Sequence, residues 1–217
     1  MRRRGTARTG PAVTRCLPGP LGRVEQLVLR GDGLTTTSLE ILTGRVITVR
    51  VRAHWRLPLH ADLHAMAPGD EVYTGLDAPD LSWFAAVGTD QLDARPGDDL
   101  LVREVLLTGD DGVDYGAASL VAALDRLPAP VAHRLATTDE PIGRMLARNQ
   151  VPVTRELRHW GLRRVGARGA TLGADLADDA PVPARTYRMR LVRTGRPLAL
   201  ITEWFAPRVF AERGAVR

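Results

Sequence analysis

Six short segments of this chain read as β-strands, several of them alternating apolar and polar residues, and turn-forming residues separate most of them. A period of two marks a β-strand with one covered face. The segments are Val46 to Arg56, Leu100 to Thr108, Val113 to Leu124, Val151 to Trp160, Arg185 to Val192 and Leu198 to Phe205. Pro96-Gly97-Asp98-Asp99 is a turn, and Gly109-Asp110-Asp111-Gly112 and Thr194-Gly195-Arg196-Pro197 read as hairpin connections. Two helical patterns precede the strands. Pro20 to Leu29 carries Leu21, Val24, Leu27 and Val28 at helical spacing, and Thr35 to Leu42 turns Leu39 and Leu42 inward with Gly44 as the stop. A helix pair interrupts the strands, over Val131 to Leu135 and Pro141 to Arg148. This order predicts an α+β fold: a single antiparallel β-sheet of about six strands with helices packed on one face. No Gly-rich phosphate loop follows a strand and no βαβ alternation occurs, which argues against a dinucleotide-binding domain.

Two of the strands each place a charge on the apolar side. In Leu101-Val102-Arg103-Glu104-Val105-Leu106-Leu107, alternation puts Arg103 with Leu101, Val105 and Leu107. In Leu198 to Phe205, Glu203 shares its side with Ala199, Ile201 and Phe205. A charge on a core-facing surface is costly unless it is paired or used. The bland reading is a structural ion pair or two residues at strand ends that reach water. The sharper one is a guanidinium and a carboxylate converging inside an apolar cavity suited to a small anion. Arg offers a planar fork for a carboxylate, and a partly desolvated Glu can hold or deliver a proton near neutrality.

With 217 residues, 44% hydrophobic and 25% charged, the chain can bury a substantial core. No apolar run approaches the ~20 residues of a membrane helix. The net charge of +5 resides in Arg2, Arg3, Arg4, Arg8 and Arg15, and the remaining 25 Arg are balanced by 25 Asp and Glu. Residues 1–18 are therefore expected to form a disordered basic tail, and residues 19–217 a single domain without nucleic-acid or membrane partners. There is no Lys, which rules out Schiff-base and P-loop lysine chemistry. Cys16 is the only cysteine, in keeping with a cytoplasmic protein without a disulfide or a Cys-based zinc site. No cleavable leader is recognisable in the tail.

Other motifs read as ordinary structure. His60-Ala61-Asp62-Leu63-His64 spaces two histidines as a helical metal pair would, but Pro58 and Pro68 bracket it and no further ligand is evident. His133 and His159 read as structural or solvent-facing. Ser119 lacks the Gly-x-Ser-x-Gly elbow of a hydrolase nucleophile. Trp55, Trp83, Trp160 and Trp204 read as core or rim aromatics, since no RNA-binding strand motif or helix-turn-helix accompanies them. Residues 57 to 80 show little periodicity, and Leu81 to Val87 fits either a strand or a helix. Gly161 to Pro183, rich in Gly, Ala and Asp, reads as a long mobile insertion.

Taken in order, several motifs resemble the chorismate–pyruvate lyase family, particularly its actinobacterial hydroxybenzoate-forming branch. They are Asp32-Gly33-Leu34-Thr35, Val102 to Leu107, Glu140-Pro141-Ile142-Gly143-Arg144-Met145-Leu146, Thr154-Arg155-Glu156 and Gly195 to Pro207. The similarity runs from about residue 25 to residue 210. It implies an antiparallel sheet with helices on one face, a cavity closed by helical flaps, and cleavage of chorismate to a hydroxybenzoate and pyruvate. By this resemblance Arg103 grips the ring carboxylate, aided by the main-chain amide of Ile142. Glu203 lies at the other end of the ring near the ether oxygen, and the main chain at Leu34 completes that end. No cofactor or metal is implied, and the partner is a small aromatic or enolpyruvyl acid bound by a monomer or homodimer. Ubiquinone-pathway members have Met and Leu where this chain has Leu34 and Ile142, and an Arg that the Ala117-Ala118-Ser119 stretch lacks. 4-Hydroxybenzoate is the expected product, with the 3-isomer as the alternative. Two rivals stand beside this reading. One is a non-catalytic effector-sensing domain of the same fold, which in regulators follows a winged helix for which there is no room before Leu21. The other is a same-fold enzyme acting on another aromatic or enolpyruvyl substrate.

Overall fold

The computed structural model describes residues 21–31, 34–58, 89–95, 97–173 and 176–211. Six antiparallel strands form one sheet in the order β1-β2-β3-β6-β5-β4. They are β1 Ile47–Pro58, β2 Asp99–Gly109, β3 Asp114–Ala123, β4 Val153–Arg164, β5 Pro181–Leu191 and β6 Pro197–Phe205. The helices are α1 Arg23–Arg30, α2 Thr35–Thr43, α3 Thr89–Leu92, α4 Ala129–Thr137, α5 Ile142–Arg148 and α6 Gly169–Leu172. This is the α+β class the alternation predicts. The β2–β3 hairpin turns at Gly112, whose φ of 76° favours a residue without a Cβ. Asp111 caps that turn by accepting the Val113 amide.

β3 and β6 lie at the centre, and every residue of β6 is buried. Both faces of β6 are covered, which explains why its sequence is nearly continuously apolar. On one face, α4 and α5 pack Val131, Leu135, Met145 and Leu146 over Leu120, Ala199, Ile201 and Met189. At the other end of that face, α1 and α2 bring in Val28, Leu29 and Leu39. α6 closes the reverse face, where Val165 and Leu172 join a cluster with Leu106, Ala117, Ala184 and Trp204.

Three local expectations are corrected. In α1 the buried residues are Val28 and Leu29, while Val24 is 47% and Leu27 74% exposed. Arg185 donates to the carbonyls of Val28 and Gly31 and so fixes which side of the helix meets the sheet. In β1 the register shifts between Val51 and Ala53, so Ala53 pairs with Glu104 and His54 with Arg103. Such a bulge reverses the facing of everything beyond it, so Ala53 does not share a face with Ile47, Val49 and Val51. The segment from Gly161 to Pro183 is not a mobile insertion over its described residues. β4 continues to Arg164, β5 begins at Pro181, and Val165, Leu172 and Val182 are fully buried. Its few apolar residues sit on single-turn elements too short to show a period. The basic tail with Cys16, the segment 59–88 with His60, Asp62, His64 and Trp83, and Asp32-Gly33 lie outside the described residues.

Candidate active site

Strand register decides where the two singled-out charges lie. Arg103 pairs with Leu120, Leu120 with Ile201, and Ile201 with Tyr187. One row along, Val105 pairs with Ala118, Ala118 with Glu203, and Glu203 with Arg185. Directly opposed residues share a face, so Arg103 and Glu203 stand on the same side in adjacent rows, their Cα atoms about 12 Å apart from standard strand spacings. Their exposures are 3% and 4%. Both line a cavity of about 640 Å³, part of it open to solvent, between the sheet and the starts of α2 and α5. Its floor is apolar, made of Val105, Leu107, Leu120, Met189 and Ile201.

Arg103 and Glu203 share this cavity without pairing to each other. The Arg103 guanidinium donates to the main-chain carbonyls of Thr138 and Glu140, in the connection between α4 and α5. Its Nε is buried with no hydrogen-bond partner. Burial draws the group below its ordinary value, with Asp139 pulling the other way, yet an arginine keeps its charge across the physiological range. A buried cation with an unused donor and an apolar floor beside it has the chemistry to receive a carboxylate.

Glu203 has three donors around it. Arg185 Nε donates at 2.6 Å, Thr35 Oγ1 at 2.5 Å and Tyr187 Oη at 3.1 Å. The Arg185–Glu203 pair is almost fully enclosed, at 4% and 5% side-chain exposure. Burial pulls the Arg185 guanidinium down, but the Glu203 carboxylate and Tyr187 together outweigh it and the group ends above its ordinary value. Burial, reinforced by the same carboxylate, pushes the Tyr187 hydroxyl well up, so it remains a neutral donor. Glu203 thus accepts hydrogen bonds from three side chains on β5 and α2. Arg185 also donates to Thr35 Oγ1 at 2.8 Å and thereby ties the end of α1 and the start of α2 to the carboxylate.

Leu34 and Ile142 are brought to the same cavity. Leu34 caps α2 in an extended conformation, and Ile142 opens α5 after Pro141. The two helix starts nearly touch: a Cβ on Gly143 would fall 2.8 Å from Leu34 Cδ2 and 3.3 Å from Arg155 Nη2. An Arg144–Glu40 ion pair at 3.2 Å joins α5 to α2. Glu140 binds Arg134 at 2.6 Å and Arg148 at 3.1 Å, which holds the α4–α5 connection over Arg103.

Arg185, Tyr187, Thr35 and Arg155 are not singled out as site residues by the sequence, although Thr35 and Arg155 fall in the motifs named above. Arg185 shares the parity of Tyr187, Met189 and Leu191, and Arg155 that of Val151, Val153 and Leu157, which is the signal that exposed Arg103. Thr35 carries no such signal. Of the other candidates, Ser119 is buried on the reverse face and His133 is exposed. Among the described residues no group of three or more His, Cys, Asp or Glu could hold a metal, and no helix is long and apolar enough to cross a membrane.

A six-stranded antiparallel sheet that closes one cavity against the starts of two helices defines the α+β class of this domain. The effector domain of PhnF from Mycobacterium smegmatis shares this fold, with a TM-score of 0.54 and 14% identity over 82% of this chain and 91% of that one. A GntR-family regulator from Bacillus cereus superposes with a TM-score of 0.50 and 10% identity, over 79% of this chain and 99% of that one. The sequence places the chain more narrowly. Residues 85–213 match the family described as chorismate pyruvate-lyase Rv2949c-like, and the chain belongs to it. The chorismate pyruvate-lyase of Mycobacterium tuberculosis is 29% identical over 115 residues, covering 52% of this chain and 56% of that protein. Its Mycobacterium leprae counterpart is 30% identical over 119 residues, 52% of this chain and 53% of that protein. The chain thus spans about half the length of the curated relatives it matches.

Proposed function

We propose that this protein cleaves chorismate into pyruvate and 4-hydroxybenzoate, with no cofactor. The observation that carries the proposal is a cavity in a member of a lyase family with a receptive guanidinium at one end and a carboxylate acceptor at the other. Arg103 takes the ring carboxylate through its Nε and its remaining N–H donors. The amide of Ile142, in the first turn of α5, has no intrahelical acceptor and is available beside it. Glu203 accepts the hydrogen bond of the ring hydroxyl, and Arg185 and Tyr187 keep its carboxylate oriented.

The chemistry suits such a site. The bond between the ring carbon and the ether oxygen breaks, and that oxygen leaves with the three-carbon enol. The ring loses the hydrogen on its hydroxyl-bearing carbon and becomes aromatic, while the enol carbon gains a proton to give the methyl group of pyruvate. Substrate and products balance atom for atom, so no oxidant, reductant or water is consumed. Aromatisation supplies the driving force, and the protein has to orient the diene and keep water from it.

The test is incubation of purified protein with chorismate, following pyruvate release and separating the aromatic product by chromatography. Equimolar pyruvate and 4-hydroxybenzoate are expected. Appearance of the 3-isomer changes the product assignment alone. Tight hydroxybenzoate binding without pyruvate would make the protein a sensor domain of the same fold, and neither binding nor turnover would point to a different substrate.

A further inference from the structure

We infer that Arg155 is the receptor for a second carboxylate, so that the cavity is built for a dianion gripped at both ends. The inference rests on the chorismate reading and adds the residue that separates substrate from product. Arg155 stands on β4 opposite Met189, in the row that continues through Ala199 and Ala122 to Leu101. Its face is therefore that of Arg103, which lies in the adjacent row four strands away. Standard spacings put the two Cα atoms about 20 Å apart. Both residues nevertheless line the same cavity, whose lining also includes Leu120, Ile201, Tyr187 and Met189.

Charge in the cavity agrees with this. Its lining carries Arg103, Arg144 and Arg155 against Glu140 and Glu203. Those two carboxylates are already matched, Glu203 by Arg185 and Glu140 by Arg134 and Arg148. Arg144 is matched in turn by Glu40, while Arg103 keeps an unused donor. The Arg155 guanidinium lies 5.7 Å from the centroid of the Tyr187 ring, which steadies it above the floor. Its Nη2 also faces Gly143 in the first turn of α5, where any side chain would crowd it. Chorismate carries one carboxylate on the ring and one on the enolpyruvyl arm, whereas 4-hydroxybenzoate keeps only the first. Arg103 would hold both molecules, and Arg155 only the uncleaved one. Cleavage then releases the Arg155 contact together with pyruvate.

The experiment measures dissociation constants of chorismate and of 4-hydroxybenzoate for the wild-type protein, Arg155→Met, Arg155→Lys and Arg103→Met, with pyruvate release recorded in parallel. Arg155→Met should weaken chorismate about ten- to hundredfold, the range of a lost charge-assisted hydrogen bond, and leave 4-hydroxybenzoate within twofold. Arg155→Lys should recover part of the loss, and Arg103→Met should weaken both ligands. Equal weakening of both ligands by Arg155→Met, or no change in either, would overturn the inference even if cleavage proceeds. Tight, Arg155-dependent binding of chorismate without cleavage would uphold it and remove the lyase reading. No binding of chorismate to the wild-type protein would remove both.

Discussion

Each face of the sheet carries a carboxylate, an arginine and a hydroxyl in contact, yet the two clusters differ in what lies above them. On the reverse face Glu104 stands opposite Ser119, and Arg168 donates to Glu104 at 3.1 Å and to Ser119 at 2.8 Å. The Arg168 guanidinium also stacks 4.2 Å from the centroid of the Trp204 ring, and the polar row continues through Thr202 and Thr186, linked at 2.9 Å. Val165 and Leu172 pack beside this row and help seal it. On the cavity face Glu203 and Arg185 are more enclosed than Glu104 and Arg168, yet Glu203 borders a cavity that Arg103 also lines. The residue types are the same. The cluster on the reverse face packs against Val165, Leu172 and the Trp204 ring and holds the sheet together, whereas Glu203 on the other face borders a cavity that a ligand can enter.

Breaking each cluster in turn sharpens that contrast. The largest effect is expected for Arg185→Met, which leaves the Glu203 carboxylate buried without its cation and frees the carbonyls of Val28 and Gly31. Removing one partner of a buried pair costs about 3–5 kcal/mol, so chemical denaturation should show a loss of that size, and turnover should fall in whatever protein remains folded. A variant of near wild-type stability would mean that Arg185 is not what holds Glu203. Arg168→Met should cost less, about 1–3 kcal/mol, because Glu104 and Arg168 are partly exposed and Ser119 still donates to Glu104. Its folded fraction should bind 4-hydroxybenzoate within twofold of the wild type. A large loss of affinity there would show that the reverse face reaches the site.

The same contrast explains how much the sequence discloses. Neighbouring residues of a strand point to opposite faces, so Arg103 and Glu104 are sent apart by alternation alone, and Arg103 stands out because Leu101, Val105 and Leu107 surround it. Glu203 stands out in the same way. The two hairpins are legible because each turn is short and built on turn-forming residues, Gly and Asp in one and Gly and Pro in the other. Arg185 and Arg155 obey the same alternation but sit in strands with several other arginines, Arg188 and Arg190 in β5 and Arg158 in β4, so the one on the apolar face is inconspicuous. The Val51–Ala53 bulge and the turns around α6 leave no period to read. Thr35 is one of three successive threonines, and only the tertiary fold selects the one that meets Glu203.

The central claim, that a ring carboxylate sits on Arg103 while Glu203 serves the reacting end, is tested most directly by comparing two variants side by side. Dissociation constants for 4-hydroxybenzoate and kcat for chorismate should be measured for Arg103→Ala and for Glu203→Gln, which keeps an acceptor beside Arg185. The account predicts that Arg103→Ala abolishes most binding, whereas Glu203→Gln lowers kcat more than affinity. Wild-type binding and turnover in both variants would contradict it.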